Sequence, residues 1–195
     1  MKTIRNYFYA IVAICFLGIL LFLFIPNNKT PNQPAVVQQI KELSRLETIT
    51  YSMEKIIEEG ESKGPLSDFL FGDKMLFVAY GEVIAGIDFS NLKENSVVVN
   101  GKNIEIQLPP SQILVTKLDN TKSRVYNRTT GVFTKGNSNL ETTARTQAEN
   151  LLMKTACDDG ILSKANEQAS KQISSLLKGI GFENINIKTS GSVCK

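Results

Sequence analysis

Apolar residues along this chain follow three spacings, and each spacing predicts a different kind of element. The first is continuous: no charged side chain occurs from Asn6 to Asn28, and Tyr7 to Ile25 is almost wholly apolar. Nineteen residues in a helix rise ~28 Å, close to the ~30 Å hydrocarbon thickness of a bilayer. The aromatic rings of Tyr7, Phe8 and Tyr9 suit the headgroup boundary, and Pro26 ends the helix. Lys2 and Arg5 precede the stretch, which predicts a cytoplasmic N-terminus (residues 1–6) and export of everything that follows. The apolar run is too long for a cleaved leader, and no small-x-small pattern follows Ile25, so residues 7–25 read as a permanent signal-anchor. Residues 26–35, with Pro26, Pro31 and Pro34, read as a polar linker.

The remaining residues, 36–190 with a short tail at 191–195, suit one domain. Val36, Val37, Ile40, Leu43 and Leu46 recur at helical spacing and predict an amphipathic helix over 36–46. The period then becomes two. Ile49, Tyr51, Met53 and Ile57 share one face of a half-buried strand, and Glu59 to Gly64 forms a turn. Leu66, Phe69, Leu70 and Phe71 read as an apolar loop covering the sheet, or, if exposed, as a partner or membrane contact. Met75–Tyr80 is a buried strand, Gly81 marks a bulge or close backbone approach, and Val83–Ile87 resumes. Val97–Val99 and Ile104–Leu108 flank Asn100-Gly101, the signature of a type I′ hairpin. Ile113–Leu118 forms a further strand, and Ser123–Tyr126 returns after a turn at Asp119-Asn120.

Helical spacing returns in the C-terminal part. Ser138 and Glu141 have the spacing of a capping box, followed on one helical face by Leu140, Ala144, Ala148, Leu151 and Thr155. After Asp158-Asp159-Gly160 the period restarts with Leu162, Ala165, Ala169, Ile173 and Leu176. Gly179 and Gly181 end this helix, and Asn184–Lys188 is a last strand with Ile185 and Ile187 on one face. The fold class is therefore α+β: an antiparallel sheet packed with two C-terminal helices, or one bent helix, and a final strand.

Charge and composition narrow the functional classes. The net charge of +3 resides in Lys2, Arg5 and Lys29; the other nineteen basic residues balance nineteen acidic ones. With no basic cluster, nucleic acid is not an expected partner. The chain contains no His, which removes histidine-based triads and imidazole metal sites, and no cofactor is expected.

The run Leu76 to Asp88 (Leu-Phe-Val-Ala-Tyr-Gly-Glu-Val-Ile-Ala-Gly-Ile-Asp) resembles the bacterial Domain of Unknown Function 4230 family. So do Leu108-Pro109-Pro110, Ala144-Arg145 before Ala148-Glu149, Gly160-Ile161-Leu162 before Ala165 and Ala169, and the Gly181-Phe182 ending. The resemblance implies a membrane-anchored bacterial protein and supplies no activity.

Three residues stand out as candidates for a functional surface. Glu82 and Asp88 flank Gly86 and offer two carboxylates for a cation or for acid/base work; alternatively, Asp88 caps the turn at Phe89-Ser90. Arg145 offers a bidentate anion contact, or simply pairs with Glu141 one turn earlier. Ser163-Lys164 has the composition of a nucleophile pair but adjacent helical positions diverge, and Ser163 reads better as an N-cap. Cys157 and Cys194 read as a buried thiol and a loose one, with a disulfide as the alternative. These features predict a non-catalytic binding or scaffolding module of the cell envelope that engages a protein partner or itself. The competing classes are a histidine-independent hydrolase and a lipid- or small-ligand-binding protein.

Overall fold

A computed structural model of the chain describes residues 16–18, 32–60, 64–90, 92–192 and 194. The chain divides into two units, Met1–Pro31 and Asn32–Lys195. The expected membrane span lies outside the described residues except for Phe16–Gly18, which are helical. Among the described residues, no helix is long and apolar enough to cross a membrane.

The second unit opens with α1 (Gln33–Glu42), three residues earlier than the periodicity predicts. Asn32 starts it, its side-chain oxygen accepting from the Ala35 amide, and Pro34 preorganises the first turn. The helix stops at Glu42 instead of Leu46, and Leu46 instead lies on β1 (Arg45–Gly60). Alternation along β1 runs as expected, with Ile49, Tyr51, Met53 and Ile57 turned toward the core.

Strand β1 pairs from end to end, but for a bulge at Thr48, with β2 (Asp73–Asp88), an unbroken sixteen-residue strand. The pairing keeps register through Gly81, which faces Met53, so no bulge in this ladder occurs there. Gly81 is instead a close approach: a Cβ would stand 2.5 Å from Leu152 Cδ1 and 2.7 Å from the Lys117 carbonyl oxygen. The other edge of β2 is covered by β5 (Ser111–Leu118) and then β6 (Arg124–Thr130), both antiparallel to it. Ser123–Tyr126 therefore does not fold back on β5, as the turn at Asp119 suggested; β6 continues the same row. Over the break, Asp119 and Ser123 hydrogen-bond the backbone of Tyr80 and stand in for the missing ladder. The result is a ribbon three rows wide and roughly 50 Å long at ~3.3 Å per residue.

One face of this ribbon carries α3 (Leu140–Asp158) and α4 (Ile161–Gly179), each ~28 Å long and set end to end. Leu140, Ala144 and Ala148 pack on Met75, Phe77 and Ala79. Leu152 and Ala156, with Ile161, Leu162 and Ala165, meet Val83 and Ala85. Three predicted core positions shift by one residue: Leu152, Ala156 and Leu177 are buried, while Leu151, Thr155 and Leu176 keep part of their surface in solvent. The capping box does not form: Asn139 precedes α3 without a side-chain cap, and Glu141 binds Arg145. Nor is Ser163 an N-cap, since α4 already starts at Ile161. The end of α4 has the predicted glycine, with Phe182 N–H bonded to the Leu177 carbonyl and Gly181 N–H to that of Lys178, a Schellman motif.

At the α1 end lies a small sheet of β3 (Val97–Asn100), β4 (Asn103–Leu108) and β7 (Asn184–Thr189). The β3–β4 turn consists of Gly101-Lys102 rather than Asn100-Gly101, because Asn100 pairs with Asn103. Positive φ falls on Gly101, the first turn residue, as in type II′. The last strand pairs parallel to β4, so this sheet is mixed. Together with α1 and the end of α4 it encloses a third core cluster containing Val36, Ile40, Ile87, Phe89, Ile106 and Ile173.

Candidate functional site

The three candidate side chains occupy separate places. Glu82 and Asp88 both lie on β2, on the face opposite the helices, six residues or roughly 20 Å apart. Glu82 pairs with Lys117 at 3.2 Å. Asp88 accepts from the Ser90 amide at 2.9 Å and from its hydroxyl, and lies 3.9 Å from Arg45. These Ser90 hydrogen bonds hold the Asp88 carboxyl below the ordinary carboxylate range, so it acts as the turn cap.

Arg145 lies on the helix side. It donates twice to Glu141 Oε1, at 3.0 and 2.8 Å, and once to Asn120 Oδ1 at 3.0 Å, with its guanidinium 4.9 Å from the centre of the Phe77 ring. It thus fastens α3 to the break between β5 and β6. Lys164 donates to the Tyr51 hydroxyl and lies over that ring. The bond to Tyr51 raises the lysine's pKa, the opposite of what a Ser/Lys base requires. The structure therefore does not bring these groups together around a reacting atom. Open clefts among the described residues include one of about 580 Å³ along the small sheet and one of about 420 Å³ beside Asp73.

The feature that the sequence placed least well is at the other end of the ribbon. Leu66, Phe69 and Phe71 lie on a short helix, α2 (Pro65–Phe71), rather than on a loop against the sheet. Each is exposed, and so are Val132 and Phe133 just after β6; these five side chains keep between 61 and 74% of their surface in solvent. The Phe71 and Phe133 rings lie 6.0 Å apart. Large exposed apolar groups at one place are uncommon on monomers and mark contact surfaces.

The backbone holds this tip firmly. Gly131, Val132 and Phe133 donate amide hydrogens to the carbonyls of Gly72, Phe69 and Leu70, at 2.7, 3.1 and 2.8 Å. Gly131 comes so close that a Cβ would stand 2.7 Å from the carbonyl carbon of Leu70 and the nitrogen of Phe71. Below the tip, Asp73, only 10% exposed at its side chain, accepts from Arg128 Nε and Nη2 at 3.0 and 2.8 Å and from the Asn137 amide. Arg128 above all keeps the Asp73 carboxyl below its usual range, and Asp73 reciprocally raises Arg128. The loop 131–137 is therefore clamped at both ends.

Val132 and Phe133 were missed by the periodicity because two apolar residues carry no period. The available signal was an apolar pair between Gly131 and Thr134-Lys135-Gly136, where a solvated loop favours polar residues.

Cys157, at the end of α3, and Cys194, beyond β7, form a disulfide with Cα atoms 6.1 Å apart. This overturns the expectation of a buried thiol and a loose one: Cys157 is only partly buried, and the return of β7 to the small sheet brings the tail back to the end of α3.

Neither curated proteins nor solved structures provide a match to this chain. Over residues 38–187 it matches the family model described as "Protein of unknown function (DUF4230)", and the chain belongs to that family.

Proposed function

We propose that this protein is a membrane-anchored, extracytoplasmic module of the bacterial cell envelope that binds a protein partner through its apolar tip. The observation that carries the reading is the tip itself. Five large apolar side chains stand in solvent on a backbone pinned by three hydrogen bonds and clamped by Asp73. Presenting such groups rigidly lowers the ordering cost of docking into an apolar recess. The anchor rests on the charge-free stretch Tyr7–Ile25 with Lys2 and Arg5 before it. The Cys157–Cys194 disulfide supports the outward topology, since such bonds persist in oxidising compartments. The chain enters the domain at Asn32, at the α1 end, so the tip stands roughly 50 Å along the ribbon from that point.

A photoreactive residue at Phe133 in intact cells tests both parts. The expected result is one protein adduct, lost when Phe71 becomes Ser, on a chain whose C-terminal domain is cleaved by external protease. Adducts to lipid alone transfer the tip to a bilayer and overturn the protein-partner reading. A domain shielded from external protease overturns the topology.

A further inference from the structure

The long ribbon has two open edges. Among the described residues no strand pairs with the outer side of β1 or with that of the β5–β6 row. The helix layer leaves both uncovered, because α3 and α4 lie end to end and the layer is a single helix wide. Proteins usually blunt such edges, since a free row of N–H and C=O groups templates another strand.

The two edges carry opposite charge. Strand β1 has four glutamates (Glu47, Glu54, Glu58 and Glu59) against Arg45 and Lys55, and none of the four has an ion pair among the described residues. The opposite row carries Lys117, Arg124 and Arg128 and no acid within its strands; Lys117 also pairs with Glu82, and Arg128 with Asp73, both on β2. The shared partner β2 fixes their heights. Glu58 is level with Leu76, Arg124 with Val78, Glu54 with Tyr80 and Lys117 with Glu82. All four positions share the face away from the helices, since directly paired residues lie on one face. A second copy shifted along the strand by two residues sets Glu58 opposite Arg124 and Glu54 opposite Lys117 at once. A two-residue shift also keeps every side chain on its face.

We propose that copies of this chain join edge to edge, β1 of one adding to the β5–β6 row of the next, in a head-to-tail assembly. Because β1, β5 and β6 all run antiparallel to β2, translation from copy to copy makes the new ladder parallel, in two stretches either side of the Asp119–Ser123 loop. Charges of one sign on both edges would repel this contact; opposite signs select it and set its register. The contact is heterologous, so it closes into a ring or extends as a filament.

The test uses the full chain in detergent, followed by sedimentation velocity. The natural protein forms oligomers that weaken as salt rises. Glu54→Lys with Glu58→Lys in one variant, and Lys117→Glu with Arg124→Glu in another, each weaken self-association about tenfold or more. Mixed in equal amounts, the two variants assemble again, because each now offers the edge that the other lacks. A monomeric natural protein, oligomers indifferent to both reversals, or a mixture that stays apart overturns the proposal. A photoreactive residue at Tyr126 in the otherwise natural chain needs no charge variant to fold. Its adduct belongs to residues 45–60 of a second copy, and an adduct elsewhere overturns the assignment. These variants leave the tip untouched, so loss of edge association and loss of the tip's partner are separate outcomes.

Discussion

Each end of the ribbon carries a short helix with several apolar residues, and the two helices meet opposite fates. On α1, Val36, Val37 and Ile40 are at most 3% exposed, whereas on α2 Leu66, Phe69 and Phe71 stand largely in solvent. Hydrophobicity does not separate them. The difference is what lies opposite: α1 faces the small sheet and the last turns of α4, while α2 lies against the short 131–133 loop, through its backbone and the Phe133 ring. An apolar face is buried where the fold supplies a second layer. At the α2 end the described residues supply none, and that vacancy separates a stabilising helix from one available for contact.

The largest expected effect breaks the α1 end alone. Reducing the Cys157–Cys194 disulfide frees the tail behind β7, and in the chain-entropy description a loop of this size contributes up to about 4 kcal/mol. Hydrogen exchange should speed up in β7 and β4 while Gly131–Phe133 stay as they were; loosening of the tip instead would join the two ends into one unit.

Next in size is Ile40→Ala, which leaves a cavity in a filled core and should cost about 3 kcal/mol in a denaturant melt. A loss below about 1 kcal/mol would mean that α1 packs no better than α2.

Acid should weaken the clamp at the other end. Asp73 is held below its usual pKa by Arg128, so it contributes stability that is fully present above the unfolded value of 3.8. That contribution disappears as pH falls through the lower folded value. The Asn137 amide, bonded to this carboxylate, should report a midpoint below 3.8 by NMR; a midpoint at or above it would remove the clamp from the account.

The smallest effect on stability sharpens the contrast most. Phe69→Ser removes an exposed ring and should change stability by no more than about 0.5 kcal/mol, while abolishing the Phe133 adduct. A cost resembling that of Ile40→Ala would show that the tip is core rather than contact surface.

Much of this fold could be read in the chain. The alternation of Ile49, Tyr51, Met53 and Ile57, the run from Met75 to Ile87, and the restart of helical period after Gly160 each correspond to an observed element. Such patterns are local, since period two and period 3.6 are imposed by backbone geometry within each element. Errors gathered at boundaries. Leu46 fits the helical period of α1 but belongs to β1, and Leu176 fits the face of α4 better than Leu177 does until Phe182 and the small sheet select the latter.

Among the candidate residues, the caps and local pairs were legible: Asp88 with Ser90 and Arg145 with Glu141. Of the tip, only the apolar residues from Leu66 to Phe71 were legible, because two segments about sixty positions apart compose it. Phe71 and Phe133 meet through pairing of β2 with β6, which no spacing within either segment encodes.

By itself, then, the sequence determined the long strands and the long helices, though not the short helix α2, and which of their faces are apolar, and that the N-terminal stretch is charge-free. Tertiary structure alone decided that β6 continues β5, that β7 pairs parallel and draws Cys194 to Cys157, and that α2 meets no second layer among the described residues. The physical reason is range. Backbone periodicity acts over a few residues, whereas burial, strand partnership and disulfide reach depend on segments far apart in the chain.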